Sequence, residues 1–216
     1  MIDADDAACL DRIARPVLDQ MGQHYISLEG AINDIPQIAN ICIHPLILDV
    51  AQAALGDGFV LANTAVKWCK PGTPQQGLHA DWPLQAVART SPGSVMPPIS
   101  GLQVFWMLSE STAVNGATRL VPFSHHTRRG PSRSEYPDEV AAVGKPGTMF
   151  FFHNGLWHRV GANTTADQHR VMVDNFYLPA YVYRPPQAWP LVKRDIYDAC
   201  PARLRELMAT SVEPLL

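Results

Sequence analysis

Apolar positions along the chain change their period at about residue 59. Before it, Leu10, Ile13, Val17, Leu18 and Met21 fall at helical spacing within residues 3–21, which predicts an amphipathic helix running through Pro16. The segment HPLILDVAQAALG predicts a second helix, with Pro45 near its start and Gly56 just past its end. After it, FVLANTAVKWC, SGLQVFWMLSE, GTMFFFHNGLWH and RVMVDNFYLPA are β-rich runs bounded by Gly, Pro and Asn. The segments KPGTPQQG, ARTSPGSVMPPISG and RRGPSRSEYPDE lie between them as turns. RDIYDACPARLRELMAT predicts a polar C-terminal helix. Helices followed by many short strands predict a β-sandwich or barrel with helices packed outside. The organisation expected is one domain over residues 1–216: a helical part to about 58, a β core over about 59–183 and a helical tail.

Composition narrows the class of partner. The chain has 216 residues, 47% hydrophobic and 17% charged, enough for one substantial core. Its 19 prolines and 14 glycines suit a turn-rich β architecture. A net charge of −3 offers no basic field to nucleic acid. No apolar run reaches the roughly 18 residues that span a bilayer. The acidic opening MIDADDAACL does not read as a signal peptide. Cys9, Cys42, Cys69 and Cys200 have no CxxC spacing and read as reduced thiols. A cytoplasmic protein acting on a small molecule is therefore expected, with neither nucleic acid nor membrane as partner.

The chemistry begins at GLHADWPLQ, where His79 and Asp81 stand two apart. On a strand, residues i and i+2 share a face, so the two side chains converge. That pair alone also suits an exposed strand edge. A second histidine, His158, follows the aromatic run MFFFHNGLW and is expected in a turn beside Trp157. Arg170 then heads a strand whose alternate residues are Met172, Asp174 and Phe176. If that face looks inward, the guanidinium is buried and requires an anion, either an acidic ligand or an internal Asp or Glu. Two histidines and a carboxylate on a β scaffold match the ligand set of mononuclear non-haem iron(II) oxygenases. Gln103 alternates with Phe105 and Met107 on one strand face, where its amide either contacts a cosubstrate or is a satisfied core group. Trp68, Trp82 and Trp106 read as core before pocket wall, and Lys67 and Arg89 as solvated loop charges. The Pro-rich stretch from Arg89 to Ser100, directly downstream of Asp81, is a candidate lid.

The order H-A-D, then LQVFWMLSESTAVNGATRLVPFSHH, then KPGTMFFFHNGLWHRVGANTTADQHR resembles the phytanoyl-CoA dioxygenase family over about residues 60–180. The resemblance implies a mainly β fold, a double-stranded β-helix (jelly-roll or cupin-like) with peripheral α-helices. It implies iron(II) held by His79, Asp81 and His158, with 2-oxoglutarate anchored by Arg170 and O2 as the other cosubstrate. The activity implied is hydroxylation of an unactivated C–H of a small metabolite, with release of succinate and CO2. Desaturation, epimerisation or ring closure by the same chemistry, and a non-catalytic metal-binding or ligand-binding barrel, are the alternatives. Phe123 departs from the family pattern, standing where a glycine is common. The remaining histidines, His24, His44, His125, His126 and His153, read as structural, with His169 the one rival to the proposed set.

Overall fold

The computed structural model describes residues 2–22, 24–81, 100–182, 189–208 and 212. Trp82, Arg89 and the candidate lid up to residue 99 lie outside the described residues. A five-stranded antiparallel sheet dominates, made of β1 (Tyr25–Glu29), β2 (Val60–Cys69), β3 (Leu102–Met107), β6 (Met149–His153) and β8 (Arg170–Leu178), in the order β1-β2-β8-β3-β6. The short strands β4 (Thr118–Leu120), β5 (Val140–Ala141) and β7 (His158–Val160) form a second antiparallel sheet, in the order β5-β4-β7.

Both faces of the large sheet are covered, which is why all nine residues of β8 are buried. On the outer face, Ile26, Trp68, Val104, Trp106, Val173 and Tyr177 join one apolar core with the helices. Fully burying side chains of this kind contributes roughly 1.5–3 kcal/mol each, so this face accounts for most of the stabilisation. Helix α1 (Ala4–Asp19) supplies Leu10, Ala14 and Leu18; Asp3 caps its start, accepting from the Asp6 amide at 2.7 Å. The buried stripe holds α1 together through Pro16. Helix α2 (Pro45–Leu55) supplies Ile47, Ala51 and Leu55. The Tyr177 hydroxyl donates to the Cys42 carbonyl at 2.6 Å and ties β8 to the turn before α2. Trp68 and Trp106 belong to this core, as the sequence predicts.

The inner face is different. A smaller cluster of Phe105, Phe152 and Met172 meets Leu120 of the second sheet. Beside it the same face carries Arg170 and Asp174, so the space between the sheets is only partly apolar.

Several elements depart from the sequence reading. The edge strand β1 and the three strands of the second sheet were not apparent in the hydrophobic pattern, because runs of two to five residues carry too little periodicity. His158, expected in a turn, opens β7. The C-terminal helix is two helices, α3 (Arg194–Ala199) and α4 (Ala202–Met208), broken at Cys200 because proline follows it.

One glycine positions the inner face. Gly116 has φ +91°, and a Cβ there would lie 2.2 Å from Cys69 Sγ. Gly116→Ala is expected to lower the unfolding free energy by about 1–3 kcal/mol or more. Denaturant titration measures this, with Cys69→Gly in the same chain recovering part of the loss. An unchanged midpoint in Gly116→Ala would contradict the close approach.

Candidate metal centre

Backbone pairing brings the two histidines together. The His79 amide donates to the His158 carbonyl at 3.0 Å, and the His158 amide donates to the His79 carbonyl at 2.8 Å. Directly opposed residues project to the same side, and the two rings sit 4.4 Å apart between centroids. Two residues on, the Asp81 amide donates to the Asn154 carbonyl at 2.9 Å, which extends the pairing. The ligand-capable atoms of His79, Asp81 and His158 all lie within 4.8 Å of one another, the one such trio among the described residues.

Local hydrogen bonds settle which ring nitrogen is free. His79 Nδ1 lies 2.9 Å from the Gly77 carbonyl, and His158 Nδ1 lies 2.9 Å from the Leu156 carbonyl. A carbonyl can only accept, so each Nδ1 carries a proton and Nε2 is the ring nitrogen left to ligate a metal. His158 Nε2 is 3.4 Å from Asp81 Oδ2, and His79 Nε2 is 3.9 Å from Asp81 Oδ1. Burial pulls the pKa of His158 down; Asp81 opposes this and His79 reinforces it. The buried ring is thus held neutral, the form that binds a metal. Two imidazoles and a carboxylate make a facial set that leaves the opposite side of an ion open, and the site fits a divalent iron. Gln103 donates its amide N–H to Asp81 Oδ2 at 2.6 Å, so this candidate cosubstrate contact first of all holds a carboxylate of the trio.

The trio borders a small cavity of about 40 Å³ that also touches Tyr25, Lys67, Gln76, Thr118, Arg170 and Asp174. Tyr25, Lys67, Gln76 and His79 also line a broad surface cleft of about 490 Å³, which leads outward. Arg170 is fully buried. Its Nε and Nη2 donate to the Gly116 carbonyl at 3.0 and 2.7 Å, while Nη1 has no partner among the described residues. Among the described residues no carboxylate pairs with it, so the internal salt bridge left open by the sequence is not formed. Burial draws its pKa below the ordinary arginine value. A buried cationic donor in a cavity, with one N–H unspent, fits the carboxylate of a ligand.

Lys67 corrects the sequence reading. It lies within β2, not in a loop, and its Nζ sits 3.1 Å from Asp174 Oδ2. Burial opposes its charge, but Asp174, Tyr25, Glu29 and Asp81 together outweigh burial and raise its pKa. Burial pushes the Asp174 carboxyl up to about 7, with Lys67 opposing and Asp81 and Glu29 reinforcing. The signal for Asp174 was present as a lone acid in RVMVDNFYL, four residues beyond Arg170 on the same face. Gln76 and Thr118 carry no such signal, since a polar residue near a turn is commonplace.

The other histidines stand apart from the trio. His153 Nδ1 accepts from the Gly155 amide at 2.8 Å, and its ring stacks on His125 at 5.1 Å. His169 meets Trp68 edge-on at 5.8 Å, and His44 caps α2. Phe123 sits at φ 61°, a left-handed conformation that explains why glycine suits this position.

A jelly roll gathering two imidazoles and a carboxylate beside a buried arginine defines a class of small β proteins built around one metal. Within it the chain belongs to the phytanoyl-CoA dioxygenase (PhyH) family, whose sequence model matches residues 13–172. The chain is 26% identical to the dioxygenase af480 of Aspergillus fumigatus over 178 residues, covering 80% of this chain and 54% of that protein. It is 33% identical to the Fe(II)/2-oxoglutarate-dependent dioxygenase nvfF of Aspergillus novofumigatus over 137 residues, 62% of this chain and 44% of that protein. The chain thus spans about half the length of the curated relatives it matches. In fold it is similar to the non-heme alpha ketoglutarate dependent epimerase SnoN from nogalamycin biosynthesis. That match has TM-score 0.65 and 21% identity, and covers 100% of this chain and 85% of that one. It is also similar to EctD from S. alaskensis with 2-oxoglutarate and 5-hydroxyectoine, with TM-score 0.65, 23% identity, and 83% and 70% covered.

The neutral state of His158 has a consequence for the metal-free protein. Its folded pKa lies below the ordinary value of 6.5, so the unfolded chain takes up the proton first as pH falls. Stability is expected to drop on acidification through that value, with a shallower drop in His158→Gln. Denaturant midpoints across this range check it, and an identical slope in the variant would contradict the assignment.

Proposed function

We propose that the protein is an iron(II)- and 2-oxoglutarate-dependent oxygenase that hydroxylates an unactivated C–H bond of a small metabolite. The observation that carries this reading is the unspent Nη1 of Arg170, buried in the cavity that the trio borders. A metal-binding barrel without turnover has no use for a buried cation held ready for an anion. In this reading His79, Asp81 and His158 hold iron through their free Nε2 atoms and a carboxylate oxygen. Arg170 takes the distal carboxylate of 2-oxoglutarate. The bound metal, cosubstrate and O2 supply an oxidant strong enough to break a C–H bond, with succinate and CO2 released.

The chain's own residues orient and protect. The Gly77 and Leu156 carbonyls fix the two imidazoles, and Gln103 fixes Asp81. The Gly116 carbonyl, accepting from two nitrogens of Arg170, turns the third toward the ligand. Phe105, Phe152 and Met172 line the inner face with apolar bulk and limit water around the metal.

His79→Ala, Asp81→Ala and His158→Ala are each expected to weaken iron(II) binding and abolish turnover, whereas His153→Ala and His126→Ala keep both. Equilibrium dialysis with iron(II) and succinate formation from 2-oxoglutarate measure the two effects. Loss of iron in His153→Ala but not in His158→Ala would overturn the ligand set.

Arg170→Gln removes a charge-assisted pair, an effect of about 2–5 kcal/mol in comparable cases. At ~1.4 kcal/mol per tenfold, the 2-oxoglutarate Kd should rise at least about tenfold. Arg170→Lys should recover part of this by restoring charge without the fork. Iron affinity without cosubstrate should stay near wild type. Calorimetry on the metal-loaded protein checks this, and wild-type 2-oxoglutarate affinity in Arg170→Gln would refute the anchor.

A further inference from the structure

The buried polar atoms that lack a partner among the described residues, on the inner face of the large sheet, divide by sign. Arg170 Nη1 is a donor. Asp174 Oδ1 and Gln103 Oε1 are acceptors, and both residues are at least 95% buried. Buried acceptors without a donor are uncommon, and each requires an explanation. These two are not scattered. Asp174 pairs with Phe105 across β8 and β3, and Gln103 lies two residues from Phe105. All three therefore share one face, with Asp174 and Gln103 as diagonal neighbours, closer at Cβ than the ~7–8 Å typical of such a diagonal.

Both residues flank the metal trio. Asp174 lines the same cavity as His79, Asp81 and His158, and Gln103 holds Asp81 directly. The amide orientation of Gln103 follows from chemistry: a carboxylate only accepts, so the nitrogen must face Asp81 and the oxygen must face away. Neither acceptor is where Arg170 is. Along β8, four residues at ~3.3 Å each separate Arg170 from Asp174 by roughly 13 Å. The cation that suits a carboxylate and the acceptors that suit a donor lie at different ends of one face.

We infer that Asp174 and Gln103 are specificity-determining residues, and that the substrate presents hydroxyl groups to them beside the carbon that is oxidised. The inference deepens the oxygenase reading of the site and rests on it for the word substrate. A hydroxyl suits these acceptors better than an ammonium, because Lys67 Nζ, 3.1 Å from Asp174 Oδ2, already answers that carboxylate's charge. Glu29 already accepts from Ser27 and from Asn63, one on each oxygen, and is not among the residues that line the cavity. An acyl chain would leave both acceptors buried and unpaired. A site built to accept from a hydroxyl rejects the analogue that lacks it far more strongly than an apolar pocket rejects a missing methylene.

Saturation-transfer NMR with matched probes tests this, using vicinal cyclohexanediols, their dimethyl ethers and vicinal aminocyclohexanol. Each ether keeps the skeleton and the acceptors of its diol but cannot donate. The wild-type protein, metal-free and again with iron(II) and 2-oxoglutarate under anaerobic conditions, should bind a diol at least about fivefold more tightly than its ether. The aminocyclohexanol should bind no more tightly than the diol. Gln103→Leu and Asp174→Leu should bring the ratio near unity. Asp174→Asn keeps an acceptor and the packing, and should retain most of the preference; thermal melts confirm folding of each variant. No diol preference, a preference unchanged in both leucine variants, or tighter binding of the ammonium probe would each overturn the proposal. Failure of the oxygenase reading registers separately, as absence of 2-oxoglutarate binding in the same samples, with any diol preference still measurable in the metal-free protein.

Discussion

The reciprocal pair of backbone hydrogen bonds between His79 and His158 is the constraint on which the site depends. Neither histidine has a neighbour in sequence that would bring the other near. Only the antiparallel bridge sets their rings side by side, and only the next bond, Asp81 to Asn154, brings the carboxylate to the same face. Each such bond contributes modestly, about 0.5–1.5 kcal/mol, so the bridge relies on its surroundings. Next to His158, Arg159 donates to Glu139 at 2.6 Å and to the Ser134 carbonyl at 3.0 Å, and Arg119 of β4 reaches the same carboxylate. This clamp secures β7 where His158 begins.

The two faces of the large sheet divide the labour. Its outer face is apolar and carries the helices; its inner face exchanges some apolar burial for Arg170, Lys67 and Asp174. Burying those charges is unfavourable unless each is answered. Lys67 and Asp174 answer each other, whereas Arg170 is answered, among the described residues, only by the Gly116 carbonyl, which leaves its third nitrogen for a ligand. Stability has been conceded at the positions where a ligand arrives.

Much of this was legible in the sequence, for physical reasons. Strands β2, β3 and β8 announce themselves because long runs buried on both faces must be almost continuously apolar, and β6 through its consecutive phenylalanines Phe150, Phe151 and Phe152. His79, Asp81 and His158 stand out as polar residues beside such runs, and Arg170 as a cation at the head of one. The second sheet was not legible, because strands of two and three residues draw their stability from tertiary pairing and leave no periodic trace. Lys67 read as a loop charge because its partner, Asp174, lies 107 positions away and only the β2–β8 register brings them together. Gln103 had the right face but its partner was not apparent: nothing local shows that its amide reaches Asp81.

The most direct measurement is a crystal structure of the protein grown without oxygen in iron(II) and 2-oxoglutarate, with the metal located by its anomalous signal. The account predicts one iron per chain, bound by His79 Nε2, His158 Nε2 and an Asp81 oxygen, with a 2-oxoglutarate carboxylate on Arg170 Nη1. Iron bound elsewhere, or 2-oxoglutarate seated without contact to Arg170, would contradict it.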